Sequence, residues 1–591
     1  MRISDRNMSR WAATSAIAAA LFLTPAGMAA EPAANAPDIA RQMPQIVTNY
    51  TADYKSLAAT YRISFAPITT ARFDTFYRDQ LATLNKVDFD GLRSQEDRVD
   101  YLLLKNYITG QQHQLALLQH HAEEMAPLLP FAGTIETFID QKRRMVRPDG
   151  EQDAAALTAI TKSIAAAKLQ FDPSRPGAKK TTAVIANRAM LASIELQNEL
   201  HAWYGQYDGY DPLFTWWAEA PYKDANAAIT DYIGFLKNKL VGIAPDDKTT
   251  IIGDPVGREA LIADLHDNMI SYTPEELIAI AQTEYDWCMR EMLKASREMG
   301  YGDDWHAAVE KAKQMHVAPG EQPDVIRNLV LEGSNFVEQH DLVTVPPLAD
   351  ETWRMIMMTP ERQLVNPFFT GGNELSVSYP TDSMSFDQRE MSMRGNATPL
   401  SHATAFHEMI PGHFLQFYMG ARYNPYRQQF ATPFWHEGNA LWWEMLLWDM
   451  GFDKTPAEKV GALMWRMHRS ARIIFTMNFH LGKWTPQECA QYLIDNVGFE
   501  PDNATAEVRR SFNGSVGPLY QSAYLLGGLQ FRALHHELVD SGKMTNRDFH
   551  DAILHENSMP IEFLRADLEN QSLSKDFSTR WKFYGDHPTH R

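Results

Sequence analysis

The chain has 591 residues, 45% of them hydrophobic, and a formal charge of −19. That content can bury a large core, and 14 Trp, 22 Tyr and 29 Phe argue against disorder. The acidic balance, without a long Lys/Arg run, excludes nucleic acid as an expected partner, because phosphate binding needs a basic surface.

Residues 1–30 read as a signal peptide. Arg2, Arg6 and Arg10 precede a short apolar stretch from Trp11 to Leu23, and Pro25 with Ala26-Gly27-Met28-Ala29-Ala30 resembles a peptidase site. The apolar run is shorter than the roughly 20 residues a bilayer span requires. No Cys follows it, which removes a lipid-anchor reading. The expectation is an exported protein, periplasmic or secreted, with no integral membrane span after cleavage. Cys288 and Cys489, far apart in sequence, form either a disulfide or two buried thiols.

Residues 31–270 are expected to form an N-terminal helical lobe. Apolar positions recur at three- and four-residue spacing over Asp97–Leu118, Asp153–Leu169, Thr182–Tyr204 and Ala225–Leu240. The stretch from Trp216 to Pro221 reads as punctuation between helices. Thr273-Pro274-Glu275-Glu276 predicts a helix start, with Thr273 as N-cap, and that helix should run to about Met299. Residues 271–591 are expected to form the lobe that carries the chemistry. Within it, Val343–Pro347, Trp353–Met358 and Leu375–Tyr379 are short β-type runs that predict a small sheet. Helices should resume at about Leu400 and continue to Leu573.

The stretch from Ser401 to His413 contains His407-Glu408, with His413 downstream. Two neutral imidazoles on one helix face can hold zinc, while the neighbouring Glu takes a proton from an activated water. The two His are six positions apart, about 240° around an ideal helix, which would point the rings away from each other. Pro411 and Gly412 fill the interval. Pro411 lacks the N–H that would bond to the His407 carbonyl, so the helix either bulges and returns His413 to the same face or stops at Ile410. A third ligand is expected from Thr432 to Glu444, with Glu437 preferred and His436 or Glu444 as rivals. Glu437 and Glu444 are seven apart and share a helix face. Surrounded by Trp435, Trp442, Trp443 and Trp448, two unpaired acids would be costly to bury. Ligation by Glu437 and a hydrogen bond from a ligating His to Glu444 would remove that cost. One zinc ion is the expected cofactor.

With these residues in place the chain resembles a bacterial family known largely as a domain of unknown function. Its members carry HExxPGH and then EGxALxxE, matched here by His407 to His413 and by Glu437 to Glu444. More distantly it is similar to the helical zinc peptidases typified by angiotensin-converting enzyme and thimet oligopeptidase. The resemblance covers about Asn373 to Leu564. It implies a mainly α, two-lobed metallopeptidase-like fold, with a deep cleft and a small sheet beside the active-site helix. It also implies a zinc metallopeptidase acting on short peptides, as an oligopeptidase or a carboxypeptidase, with Glu408 as the base.

The same resemblance implies a Tyr that donates to the oxyanion, for which Tyr524 is preferred and Tyr520 is the rival, four positions apart on one helix face. His480 either donates to substrate, supports a ligand or is a satisfied core histidine. Arg472 either binds a peptide carboxylate or is structural. Asn373 to Tyr379, with Ser376 and Tyr379, forms either an edge strand that pairs with substrate or a structural hairpin. Two other functions fit the same sequence: a zinc hydrolase of another envelope amide or ester, and a non-catalytic peptide-binding protein with a degenerate site.

Overall fold

A computed structural model of the chain describes residues 41–247, 250–363 and 368–585, so the leader expected over residues 1–30 lies outside the described residues. Of the described residues, those from 42 to 585 pack as one compact unit. Seven helices come first: α1 (Met43–Thr60), α2 (Pro67–Leu84), α3 (Gln95–Met125), α4 (Ala132–Arg143), α5 (Gly150–Phe171), α6 (Ala183–Tyr207) and α7 (Pro212–Phe235). Next are α8 (Gly257–Asp267), α9 (Pro274–Glu298), α10 (Trp305–Lys313), α11 (Gln322–Gln339) and α12 (Pro347–Thr352). Strands β1 (Met355–Met357) and β2 (Leu375–Val377) flank the short α13 (Pro360–Gln363). The remaining helices are α14 (Phe386–Gly395), α15 (Thr398–Glu408), α16 (His413–Gly420), α17 (Pro433–Asp449), α18 (Pro456–His480), α19 (Pro486–Val497), α20 (Pro501–Phe512), α21 (Tyr520–His535), α22 (Asn546–Glu556) and α23 (Ile561–Leu568).

Local chemistry explains most of these boundaries. Thr273 caps α9 and forms a reciprocal capping box with Glu276, and the helix ends one residue short of the expected limit. Thr432 caps α17 through the Phe434 N–H, with Pro433 in the first turn. Two expectations are corrected. Pro221 lies inside α7 instead of ending a helix: the flanking Ala218 and Tyr222 are buried, and their packing outweighs the one backbone bond that Pro forfeits. Val343–Pro346 is loop, because Thr344 bonds Asp551 through both backbone and hydroxyl, and Pro347 opens α12.

The sheet is the parallel pair β1–β2, with Ile356 opposite Ser376. On the other side of β2, Thr370 forms an antiparallel bridge to Ser376, which brings the chain at Thr370-Gly371 to the C-terminal end of α15.

One core joins α1–α3 to α15, α17 and α21, through residues such as Val47, Tyr101, Phe406, Trp443 and Leu525. A second lies wholly within residues 63–241, around Trp203, Phe214 and Tyr232. A third packs around α18, which is buried along nearly its whole length. Helices α17 and α21 meet at glycines: a Cβ on Gly438 would lie 2.5 Å from the Gly527 Cα, and one on Gly527 would lie 2.1 Å from the Phe434 carbonyl oxygen. That close approach sets Tyr520 and Tyr524 of α21 against Glu437 of α17. Cys288 and Cys489 are both buried free thiols. Among the described residues, no helix is long and apolar enough to cross a membrane.

Candidate metal centre

His407 ends the last turn of α15 and His413 opens α16, so the helix does not bulge across the interval; it stops at Glu408 and a new one starts. The Ile410–Pro411 peptide is cis, and the Gly412 N–H donates to the Phe406 carbonyl at 3.0 Å. Gly412 has a steric reason: a Cβ there would lie 1.8 Å from the His407 carbonyl oxygen. The tight reversal returns the second ring to the first, with centroids 4.9 Å apart and planes at 90°.

Glu437 of α17 completes the group. Its Oε2 lies 3.6 Å from His407 Nε2 and 3.3 Å from His413 Nε2. The three ligand atoms all fall within 4.8 Å of one another. Donors at the corners of a tetrahedron, roughly 2.0–2.2 Å from zinc, stand about 3.3–3.5 Å apart, so the spacing suits that ion. The donor set of two imidazoles and one carboxylate suits it as well.

The far edge of each ring is fixed. His407 Nδ1 bonds Glu444 Oε1 at 2.6 Å, and His413 Nδ1 bonds Gln416 Oε1 at 3.1 Å. Gln416 Nε2 donates in turn to Asn439 Oδ1 at 2.9 Å and to the His436 carbonyl at 3.1 Å. Both Nε2 atoms are therefore directed to the site by their partners on Nδ1. Glu444 thus stands behind the His407 ring, outside the group formed by His407, His413 and Glu437. His436 also lies outside it: its Nδ1 faces Gln416 at 3.3 Å and its ring stacks on Phe417.

The electrostatics favour positive charge between the rings. Burial would lower His407, but Glu437 and Glu444 outweigh it and raise the imidazole to about 9. Burial also opposes protonation of His413, and Glu437 again reverses the direction. Burial would raise Glu437, yet the two imidazoles hold its carboxyl well below the usual range. A field that retains protons there equally suits a divalent cation. His436, lacking such a partner, is pushed down to about 4 by burial and by His413.

A cavity of about 450 Å3 opens over the cluster, and Glu408, Tyr520 and Tyr524 are in its wall. The Gly371 N–H donates to Glu408 Oε2 at 2.6 Å, which orients that carboxylate. Tyr520 donates its hydroxyl to Glu437 Oε1 at 2.7 Å, on the oxygen turned away from the imidazoles. Tyr524 stacks on His407 with ring centroids 6.3 Å apart. Arg472, together with Arg469 and Arg510, also lines the cavity.

Three expected residues fall elsewhere. His480 lies at the C-terminal end of α18, two turns past Arg472, where its Nδ1 accepts from the Val256 N–H at 3.4 Å; burial pushes it down to about 4. It is a core histidine. Ser376 is buried in β2 with its Oγ accepting from Arg362, and the Tyr379 N–H donates to Gln363 at 2.9 Å. Neither reaches the cavity wall, because β2 is covered on one side by β1 and on the other by Thr370. Thr370 and Gly371 line the wall instead.

Gln416, Gly371, Arg469 and Arg510 were not singled out by sequence. Gln416 is three positions beyond His413 and Arg469 three before Arg472, so helical spacing was an available signal for both. Gly371 and Arg510 arrive from distant segments and had none.

The class these features define is a large helical protein in which two imidazoles and a carboxylate, drawn from three consecutive helices, converge on a cavity wall. The chain belongs to the family described as "Bacterial protein of unknown function (DUF885)", whose profile matches residues 44–568. Among solved structures, it is similar to a candidate lipoprotein of unknown function from Shewanella oneidensis. That protein is 18% identical, with a TM-score of 0.65 over 90% of this chain and 100% of the other. A candidate lipoprotein from Colwellia psychrerythraea is 16% identical, with a TM-score of 0.54 over 90% of this chain and 98% of the other. At these identities the likeness shows the fold. No curated protein matches the chain.

Proposed function

We propose that this protein is an exported zinc-dependent metallopeptidase that hydrolyses peptide bonds of short peptides. The observation that carries the reading is the convergence of His407, His413 and Glu437, with Glu437 Oε2 3.6 and 3.3 Å from the two Nε2 atoms and Glu408 in the same cavity wall. When bound, zinc supplies Lewis acidity toward a carbonyl oxygen and lowers the pKa of water to about 7. Glu408, oriented by the Gly371 N–H, takes the proton of the attacking water and returns it to the leaving amine. Tyr524 is the better donor to the developing oxyanion, because the Tyr520 hydroxyl is committed to Glu437. Glu444 and Gln416 hold the two imidazoles in the tautomer that presents Nε2. A cavity of about 450 Å3 suits a short peptide better than a folded protein. Export rests on the leader-like residues 1–30.

The test pairs metal analysis of the purified protein with hydrolysis of a mixed peptide library by wild type and Glu408→Gln. One zinc per chain is expected in both, with turnover lowered by about 10²–10⁴-fold in the variant. Undiminished cleavage by Glu408→Gln would reject the mechanism. Zinc without any peptide cleavage by wild type would move the reading to another amide or ester.

A further inference from the structure

The chain is acidic overall, yet one wall of the cavity carries three guanidiniums: Arg469 and Arg472 from α18 and Arg510 from α20. Arg469 and Arg472 are three apart and so share a helix face. All three gather about Tyr524. The Arg472 and Arg469 guanidinium carbons lie 4.5 and 4.9 Å from its ring centroid, and Arg510 acts on it electrostatically. Placing like charges together in a buried wall is costly unless opposite charge answers them.

The acids present answer only part of it. Glu507 accepts from Arg472 Nε at 2.7 Å and also faces His468 at 3.5 Å. Glu444 lies 3.8 Å from Arg469 but is already bonded by His407 at 2.6 Å. Arg510 is attracted to Glu507 and Glu437 at longer range, without an ion pair among the described residues. Arg472 is 3% exposed, and its Nη1, like Arg469 Nε, is buried without a hydrogen-bond partner. Buried charged donors are normally satisfied, and here three guanidiniums share one directly bonded carboxylate, Glu507.

Resting on the peptidase reading for its substrate class, we propose that Arg469, Arg472 and Arg510 form an anion subsite that binds a carboxylate of the peptide. A planar carboxylate matches the guanidinium fork and would supply negative charge to this wall. Two sources share that chemistry. The free α-carboxylate would make the enzyme trim peptides from their C-terminal end, whereas an acidic side chain would make it select sequence.

Calorimetric binding to the zinc-loaded Glu408→Gln chain separates them without needing turnover. The probes are an N-acetylated alanyl tripeptide as free acid and as carboxamide, and the carboxamide with aspartate or asparagine at its centre. The free acid is expected to bind about 10- to 100-fold more tightly than the carboxamide, and adding Arg510→Gln should erase that difference. Arg510 is the residue to change because, unlike Arg472, its loss strands no directly bonded carboxylate. Arg510→Lys keeps the charge without the fork and should restore part of the preference, which a purely structural role would not predict. A preference for aspartate over asparagine that Arg510→Gln erases would also support the subsite, with the side chain as its ligand. Equal binding of all four probes, or a preference that survives Arg510→Gln, would overturn it. Failure of the wild-type chain to cleave these peptides, while the carboxylate preference persists in the binding assay, would sink the peptidase reading and leave the subsite standing.

Discussion

Around Arg427, Asp100 of α3 and Glu556 of α22 close on a guanidinium with no exposed side-chain surface, while Asp567 of α23 stands 3.9 Å away. Around Glu437, by contrast, two imidazoles and a carboxylate face one another beside an open cavity. Both clusters bury charge, but they balance it differently. The first carries its own cation, with Arg427 Nε donating to Asp100 at 2.7 Å and Tyr426 donating to the other Asp100 oxygen at 2.6 Å. Its helices are sewn together by that balance. The second is built from groups that bind either protons or a metal, each imidazole held from behind and turned toward one point. Burial alone therefore does not mark a functional site. What marks one is buried charge whose remaining partner must come from solution.

The largest expected effect breaks the sealed cluster. Arg427→Met leaves the buried Asp100 and the partly buried Glu556 without their cation and should cost about 3–5 kcal/mol of stability in chemical denaturation, which added zinc will not restore. A loss below about 1 kcal/mol would mean that this cluster does not hold the helices together. The cavity wall contains none of these residues, so, on the proposed reading, the folded fraction should keep its zinc content.

The helices were legible because their signals are local. Thr273-Pro274 with Glu276, and Thr432-Pro433, encode their caps within four residues, and those caps form as written. The group of His407, His413 and Glu437 was legible for a related reason: the His-Glu pair and second His fall in one short stretch, and the acid among Trp residues falls in the next long helix. The sequence left the roles of His480, Ser376 and Tyr379 open because their surroundings are set by segments far away in sequence, Val256, Thr370 and Gln363 among them. Arg510 went unnoticed for the same reason, since nothing near it in sequence points toward α18. Pro221 was misread because tertiary packing, not propensity, decided whether α7 continues.

A smaller effect sharpens the contrast from the metal side. Glu444→Gln keeps the shape of the side chain but removes the charge that His407 Nδ1 meets at 2.6 Å. Apparent zinc affinity, measured by competition with a chromophoric chelator, should fall by about 10- to 100-fold. Unchanged affinity would reduce Glu444 to packing and weaken the claim that its position behind the ring tunes the site.

The smallest effect returns to the sealed cluster and concerns pH. Burial, with Glu556 beside it, pushes the Asp567 carboxyl above its usual range, and Arg427 only partly opposes this. The native state therefore holds a proton that the unfolded chain releases near pH 4. Because the folded pKa is the higher one, this contribution to stability is complete below about pH 4 and is lost as pH rises through the raised value. Asp567→Asn mimics the protonated form and should flatten that part of the stability–pH profile by on the order of 1 kcal/mol at its alkaline end. Denaturation of both proteins from pH 4 upward, at saturating zinc so that the metal site contributes equally, is the measurement. Profiles that stay parallel would mean that Asp567 is ionised in the folded protein, and that Arg427 is balanced by three anions instead of two.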